Sequence, residues 1–263
     1  MNGQNSETVL ITGASSGIGL ELARCFAADK CRLVLVARNT KALQSLADEL
    51  RHEHGIQPIV LTADLSRPET PAGVFSELQQ DGVTLDVLVN NAGFGAHGAF
   101  AGLPLQRQLE MIQVNVAALT ELSGLFLPGM IGRKRGGVLN VGSVAGFVSG
   151  PGMAVYFATK AYVLSFSEAL AEELAGTGLT VTALCPGPTA TNFGNVARGP
   201  NERQFKAPKM TAAAVARCGH RAFRRGQVLC VPGVQNRLLI FLMRITPRSF
   251  QWKIVKSLNK IKD

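Results

Sequence analysis

The sequence predicts a doubly wound α/β fold, a mostly parallel sheet with helices on both faces. Three observations carry that prediction. Short apolar runs alternate with helix-length amphipathic stretches along most of the chain. The first run, TVLITG, ends in a glycine-rich turn that leads directly into a helix. The second, RLVLVAR, is apolar without alternation, as in a strand covered on both sides. Right-handed crossovers then favour parallel order.

Taken in order, TVLITG is a strand and GLELARCFAAD a helix with Leu20, Ala23 and Ala27 on its inner face. RLVLVAR is the second strand. TKALQSLADELRHEHG is a helix that Thr40 can cap, with Leu43, Leu46 and Leu50 turned inward and Gly55 ending it. PIVLTADL is a strand, followed by a capped helix near Ser66–Gln80. LDVLVNNAG is a strand running into a loop. A long helix over about Leu105–Ile131 and the strand GVLNVGS follow. Next come a helix carrying YFATK, the strand LTVTALCPG and a last strand, QVLCVPG. With no linker, repeat or low-complexity run, the pattern predicts one domain over residues 1–234 and a basic extension over 235–263.

At 263 residues and 46% hydrophobic content, the chain can bury a sizeable core. Its five cysteines, Cys25, Cys31, Cys185, Cys218 and Cys230, show no CxxC spacing. That argues against a disulfide framework or zinc site and for a reducing, cytoplasmic setting. The start, MNGQNSETVLITG, lacks the apolar stretch of a signal peptide, and no apolar run is expected to reach spanning length. The net charge of +9 is uneven: residues 198–263 carry +13 and residues 1–197 carry −4. A body of that sign argues against a general nucleic-acid-binding protein.

TGASSGIG places Gly13, Gly17 and Gly19 between the first strand and first helix, with Ser15, Ser16 and Ile18 among them. So tight a turn needs residues without a Cβ, and the exposed helix amides favour a phosphate. The spacing is GxxxGxG rather than the commoner GxGxxG, and glycines also fill purely structural turns. The second strand ends at Arg38, with no Asp or Glu from Leu33 to Lys41. An acid here would take the ribose 2′-hydroxyl, whereas an arginine suits a 2′-phosphate. The plain alternative is an exposed arginine at a strand end.

In these motifs the chain resembles the short-chain dehydrogenase/reductase family over about residues 8–232. TGASSGIG is similar to the family's cofactor turn. Asp64 and Leu65 are similar to the pair that meets the adenine, and Asn91, Ala92 and Gly93 in NNAG to the cofactor wall. Asn115, Ser143 and the YFATK pair, Tyr156 and Lys160, resemble the family's catalytic set. Pro186, Gly187, Thr189 and Thr191 in PGPTAT resemble the nicotinamide-side segment. LVAR, VTALCPGPTAT and the basic tail look most like bacterial general NADP-dependent oxidoreductases. The resemblance implies a single Rossmann-type domain and NADP(H) in preference to NAD(H). It also implies a small carbonyl or alcohol substrate and a homo-oligomer.

The implied reaction is hydride transfer at a carbonyl carbon, with Tyr156 giving the alkoxide its proton. A tyrosine titrates near ~10, and a cation beside it lowers that value. Lys160, four residues on, lies on the same helix face and can also reach the nicotinamide ribose. Ser143 would hydrogen-bond the substrate oxygen. The resemblance gives Asn115 a water linking Lys160 to solvent. No metal is needed, and the chain shows no cluster at ligand spacing. A YxxxK match arises by chance about 0.08 times in such a chain, so its weight comes from the other motifs. Tyr162 has Phe166 four residues on and reads as a packing residue. His97 is either a substrate contact or an exposed loop histidine, and His220 reads as surface.

Residues 189–215 resemble a substrate lid, with Phe193 and Phe205 as an apolar wall, and equally read as a mobile surface loop. In the tail, Phe250, Ile254, Leu258 and Ile261 recur at helical spacing among Lys253, Lys256 and Lys260. That pattern leaves an anionic membrane surface, the domain itself and a second subunit as alternatives. Two readings compete with an NADP-dependent reductase: a non-catalytic NADPH-binding scaffold or sensor at a membrane, and an NAD-linked enzyme.

Overall fold

The computed structural model describes residues 7–198 and 210–259. β1 (Thr8–Thr12), α1 (Gly17–Ala28), β2 (Arg32–Ala37), α2 (Thr40–His54) and β3 (Ile59–Thr62) build the first half. α3 (Thr70–Gln80) and β4 (Val87–Asn90) follow. α4 (Leu105–Ile112) runs through a π turn at Gln113–Ala117 into α5 (Ala118–Arg133). β5 (Gly137–Val141), α6 (Ala154–Glu173) and β6 (Thr180–Leu184) lead to a small pair, β7 (Thr189–Ala190) and β8 (Met210–Thr211), with α7 (Phe193–Arg198) between them. α8 (Ala212–Arg224), β9 (Leu229–Cys230), α9 (Val234–Ile245) and α10 (Arg248–Asn259) complete it.

Seven strands pair in parallel in the order β3-β2-β1-β4-β5-β6-β9. Alternation along each strand divides the core. Val9 and Ile11 of β1 meet α1, α2 and α8 on one face, while Leu10 meets α3, α5 and α6 on the other. The order reverses between β1 and β4, so their carboxyl ends open the crevice where doubly wound sheets bind ligands.

Several local expectations change. On α1 the deeply buried residues are Leu22, Ala23, Phe26 and Ala27, whereas Leu20 is only partly covered. Asn39, not Thr40, caps α2: its side chain accepts from the Ala42 N–H at 3.1 Å, and Thr40 instead meets Thr62. α3 starts at Thr70 rather than Ser66, because Asp64 ties Ser66 into a turn and Pro71 falls in the first helical turn. α8, hidden in the sequence among arginines, packs Val215, Ala216, Ala222 and Phe223 against the core. Leu105–Arg133 is long and apolar enough to cross a membrane, contrary to expectation. Leu122, Phe126 and Met130 explain its composition, since they face the sheet. His220 is no plain surface residue. Its Nε2 lies 2.9 Å from Asp29, and its ring stands edge-on to Phe26.

Candidate active site

The glycine turn leaves β1 at Gly13, in the left-handed region at φ +65°. A Cβ there would lie 2.9 Å from the Asn91 Nδ2 and 3.0 Å from the Ala92 Cα. At Gly19 it would meet the Gly13 carbonyl oxygen at 2.5 Å. The turn is therefore packed against the end of β4, with no room for a side chain at Gly13 or Gly19. Ser16 stands at the N-cap of α1 without a capping bond from its side chain, so it satisfies none of that helix's first amides. With Ser15, Gly17 and Ile18 it lines a cavity of about 1140 Å³.

Hydrogen bonds hold the turn and β4 together. The Asn91 Nδ2 donates to the Thr12 carbonyl at 2.8 Å, and the Thr12 hydroxyl accepts from the Asn91 and Ala92 N–H groups, each at 3.0 Å. Asn115, in the π turn, donates to the Phe94 carbonyl and to Thr159, and its Oδ1 accepts from the Phe94 N–H at 3.1 Å. It thus pins the loop after NNAG. π turns of this kind recur at functional sites.

Ser143, Tyr156 and Lys160 converge on the cavity from the end of β5 and the first turns of α6. All three are buried. Ser143 accepts from the Ala145 N–H at 3.1 Å, and its hydroxyl favours the Tyr156 phenolate. The Lys160 Nζ donates to the Val141 carbonyl at 2.8 Å and sits 5.9 Å from the Tyr156 ring centre. Burial pushes the Tyr156 phenol up to about 12, against a smaller lowering by Ser143. Burial also brings Lys160 down to about 8. The expectation that Lys160 draws the tyrosine down is not met in this geometry, where desolvation decides both values.

Arg38 is exposed on the cavity rim beside Asn39 and Lys41. Burial would raise the Asp64 carboxyl, but the Ser66 N–H and hydroxyl, with Arg38 and Arg67 nearby, hold it below the ordinary range. Leu65 lines the same end, and Asn91, Ala92 and Gly93 the middle. Pro186, Gly187, Thr189 and Thr191 close the far side. Of the residues singled out in the sequence for catalysis or cofactor binding, only Gly19 and Asn115 are absent from the lining. Both sit just behind it and shape it.

Other expectations shift. His97 is not among the lining residues. Tyr162 stacks on Phe166 and hydrogen-bonds Thr120, as a packing residue should. The described part of the lid is not loop alone: β7 pairs with β8, and Phe193 of α7 packs 5.3 Å from the Tyr156 ring. Phe205 lies outside the described residues. The sequence reading missed Thr12 and Thr159. Of the alternatives left open for the tail, contact with the domain itself is seen: Asn236, Ile240 and Met243 of α9 and Val255 of α10 line the cavity. Phe250 and Ile254 face outward, with Val255 the buried position of α10. The Leu258 side chain and Ile261 lie outside the described residues.

The family described as short chain dehydrogenase matches residues 7–201. The ketoacyl reductase HetN of a Nostoc species is 31% identical over 214 residues, covering 80% of this chain and 74% of that one. Mouse dehydrogenase/reductase SDR family member 7B is 35% identical over 188 residues. That match covers 70% of this chain but only 58% of the mouse protein. Among solved structures, a short-chain dehydrogenase from Sphingobium yanoikuyae in complex with NADPH superimposes with a TM-score of 0.81 at 34% identity, covering 92% of this chain and 97% of that one. One from Burkholderia phymatum in complex with NAD gives 0.80 at 27% identity, covering 93% and 95%.

Proposed function

Because the chain belongs to the short-chain dehydrogenase family, we propose that it reduces a ketone or aldehyde with NADPH and runs the reverse oxidation on the matching alcohol. The observation that carries this reading is the convergence of Ser143, Tyr156 and Lys160 on the cavity that the glycine turn also lines. The residues present fit a dinucleotide: a tight turn whose Gly13 and Gly19 leave no space for a Cβ, helix amides that the Ser16 side chain leaves uncapped, and Arg38 at the rim. When bound, the nicotinamide supplies the hydride.

The protein's part is to hold the carbonyl and deliver a proton. The Ser143 hydroxyl donates to the substrate oxygen and stabilises the charge that grows there. Tyr156, protonated at neutral pH as tyrosines are, and held more firmly so by burial, gives its proton to the forming alkoxide. Lys160, held by the Val141 carbonyl, is placed to stabilise the phenolate left behind and to replace its proton. Asn115 keeps the Phe94 loop and Thr159 in place. Phe193 and Met153 line the substrate end and exclude water. For the cofactor, Arg38 and Lys41 at the rim, with no acid at the end of β2, favour a 2′-phosphate. The NADPH-bound Sphingobium neighbour supports that choice, and the NAD-bound Burkholderia neighbour marks what must be tested against it.

Tyr156→Phe preserves the ring packing and removes only the hydroxyl. With NADPH and a panel of ketones, kcat falls about 10²–10⁴-fold while NADPH still binds. An unchanged rate would refute the assignment and return the protein to a binding role.

A further inference from the structure

α9 and α10 have two faces. Inward, Asn236, Ile240, Met243 and Val255 wall the cavity. Outward, at about 100° per residue, Val234, Leu238, Phe241, Leu242 and Ile245 of α9 fall in one stripe. All five are exposed, from 46% at Leu242 to 78% at Val234. On α10, Phe250 and Ile254 share one exposed side and Trp252 is exposed on another. Arg237 and Arg244 run along one edge of the stripe. Arg248, Lys253 and Lys256 stand on α10, and residues 234–259 contain no Asp or Glu.

We propose that this helix pair docks on an anionic lipid surface and that the cavity behind it takes lipophilic carbonyl compounds from the bilayer. An apolar stripe flanked by cations and aromatic side chains suits the headgroup boundary, where apolar burial and attraction to anionic lipid act together. A second copy of the chain fits less well. A two-fold contact through the stripe sets Arg237 and Arg244 against their own equivalents, and the segment offers no acid to pair them. A protein of 13,533 Å² total surface also has little reason to gather eight bare apolar side chains on two helices unless something covers them. Docking sets the cavity wall beside the lipid, and a substrate leaving the bilayer passes Ile240, Met243 and Val255 on its way to Tyr156. The substrate half rests on the carbonyl reductase reading, and the docking half does not.

The test uses the full chain and vesicles of phosphatidylcholine with or without phosphatidylglycerol. The wild type floats with the anionic vesicles and not with phosphatidylcholine alone. Phe241→Glu/Ile245→Glu stays in the aqueous fraction, and Arg244→Glu/Arg248→Glu loses at least about tenfold in affinity. Both variants keep the wild-type melting temperature and the wild-type rate on a water-soluble ketone. A long-chain methyl ketone carried in the anionic vesicles is reduced by the wild type faster than by Phe241→Glu/Ile245→Glu. Docking is overturned if the wild type ignores anionic vesicles, if it binds neutral ones equally, or if the Phe241→Glu/Ile245→Glu variant binds as before. It is also overturned if sedimentation shows a dimer that the same variant splits. Equal rates on the vesicle-borne ketone overturn the substrate half. If no ketone is reduced by any form, the carbonyl reading fails while flotation still decides docking.

Discussion

Replacing Thr12 by valine changes one atom in effect, a hydroxyl for a methyl, at a residue 2% exposed. That hydroxyl accepts from the Asn91 and Ala92 N–H groups at 3.0 Å and donates to the Val89 carbonyl at 3.3 Å. The losses are unequal. The Asn91 N–H also reaches the Val89 carbonyl at 3.1 Å and keeps that partner. The Ala92 N–H, a partly buried donor, loses its acceptor, which costs about 1–3 kcal/mol, and the shared bonds add about 1 kcal/mol. Together Thr12→Val should destabilise the protein by about 2–4 kcal/mol. For a domain of this size that lowers the melting midpoint by about 4–16 °C. Thr12→Ser keeps the hydroxyl and should recover most of it. Thermal unfolding of the cofactor-free protein, followed by circular dichroism, reads the stability. NADPH titration of the same samples should show weaker binding, because Asn91 and Ala92 line the cavity. A Thr12→Val midpoint equal to that of wild type, or a Thr12→Ser variant no better than valine, would refute the reasoning.

Two further outcomes follow from the site. Arg38→Asp removes the rim cation and supplies an acceptor for a ribose hydroxyl, so the ratio of kcat/KM with NADPH to that with NADH should fall at least about tenfold; an unmoved ratio sinks the cofactor assignment. Lys160 is lowered from 10.5 to about 8, so between those values the unfolded chain binds the extra proton and stability rises with pH. Below about 8 both states are protonated and the full cost of burying the charge applies. The stability of wild type relative to Lys160→Met should therefore climb by about 3 kcal/mol from pH 8 to 10.5 in denaturant titrations, and a flat difference would show that Lys160 titrates normally.

Most of the sheet was readable because its strands are short, apolar and spaced by amphipathic helices. Errors arose where two residues fitted one role. Asn39 and Thr40 are both good caps, and only backbone geometry selects between them. In GLELARCFAA the apolar positions allow two helical phases, and the wrong one puts Leu20 in place of Leu22. α8 was missed because Arg217, Arg221, Arg224 and Arg225 hide a small-residue face. The site was legible through motifs that are local in sequence. Thr12 was not, because its partners lie 79 and 80 residues away. Burial at Tyr156 was hidden for a related reason: a lysine four residues on is visible in a sequence, but the depth of burial is not.

The junction of Asn236 with Gly187 has a consequence for synthesis. The Asn236 amide, from the first turn of α9, lies against the Gly187 Cα, where a Cβ would clash with its Oδ1 unless that side chain moved. Among the described residues, every strand is synthesised by Cys230, before any of α9. The strands can thus pair before α9 and α10 supply their side of the pocket. Part of the cavity wall is then supplied by a segment that contributes no strand to the sheet. Exchanging residues 234–259 for those of a relative should change which molecules are accepted while leaving the hydride chemistry underneath intact.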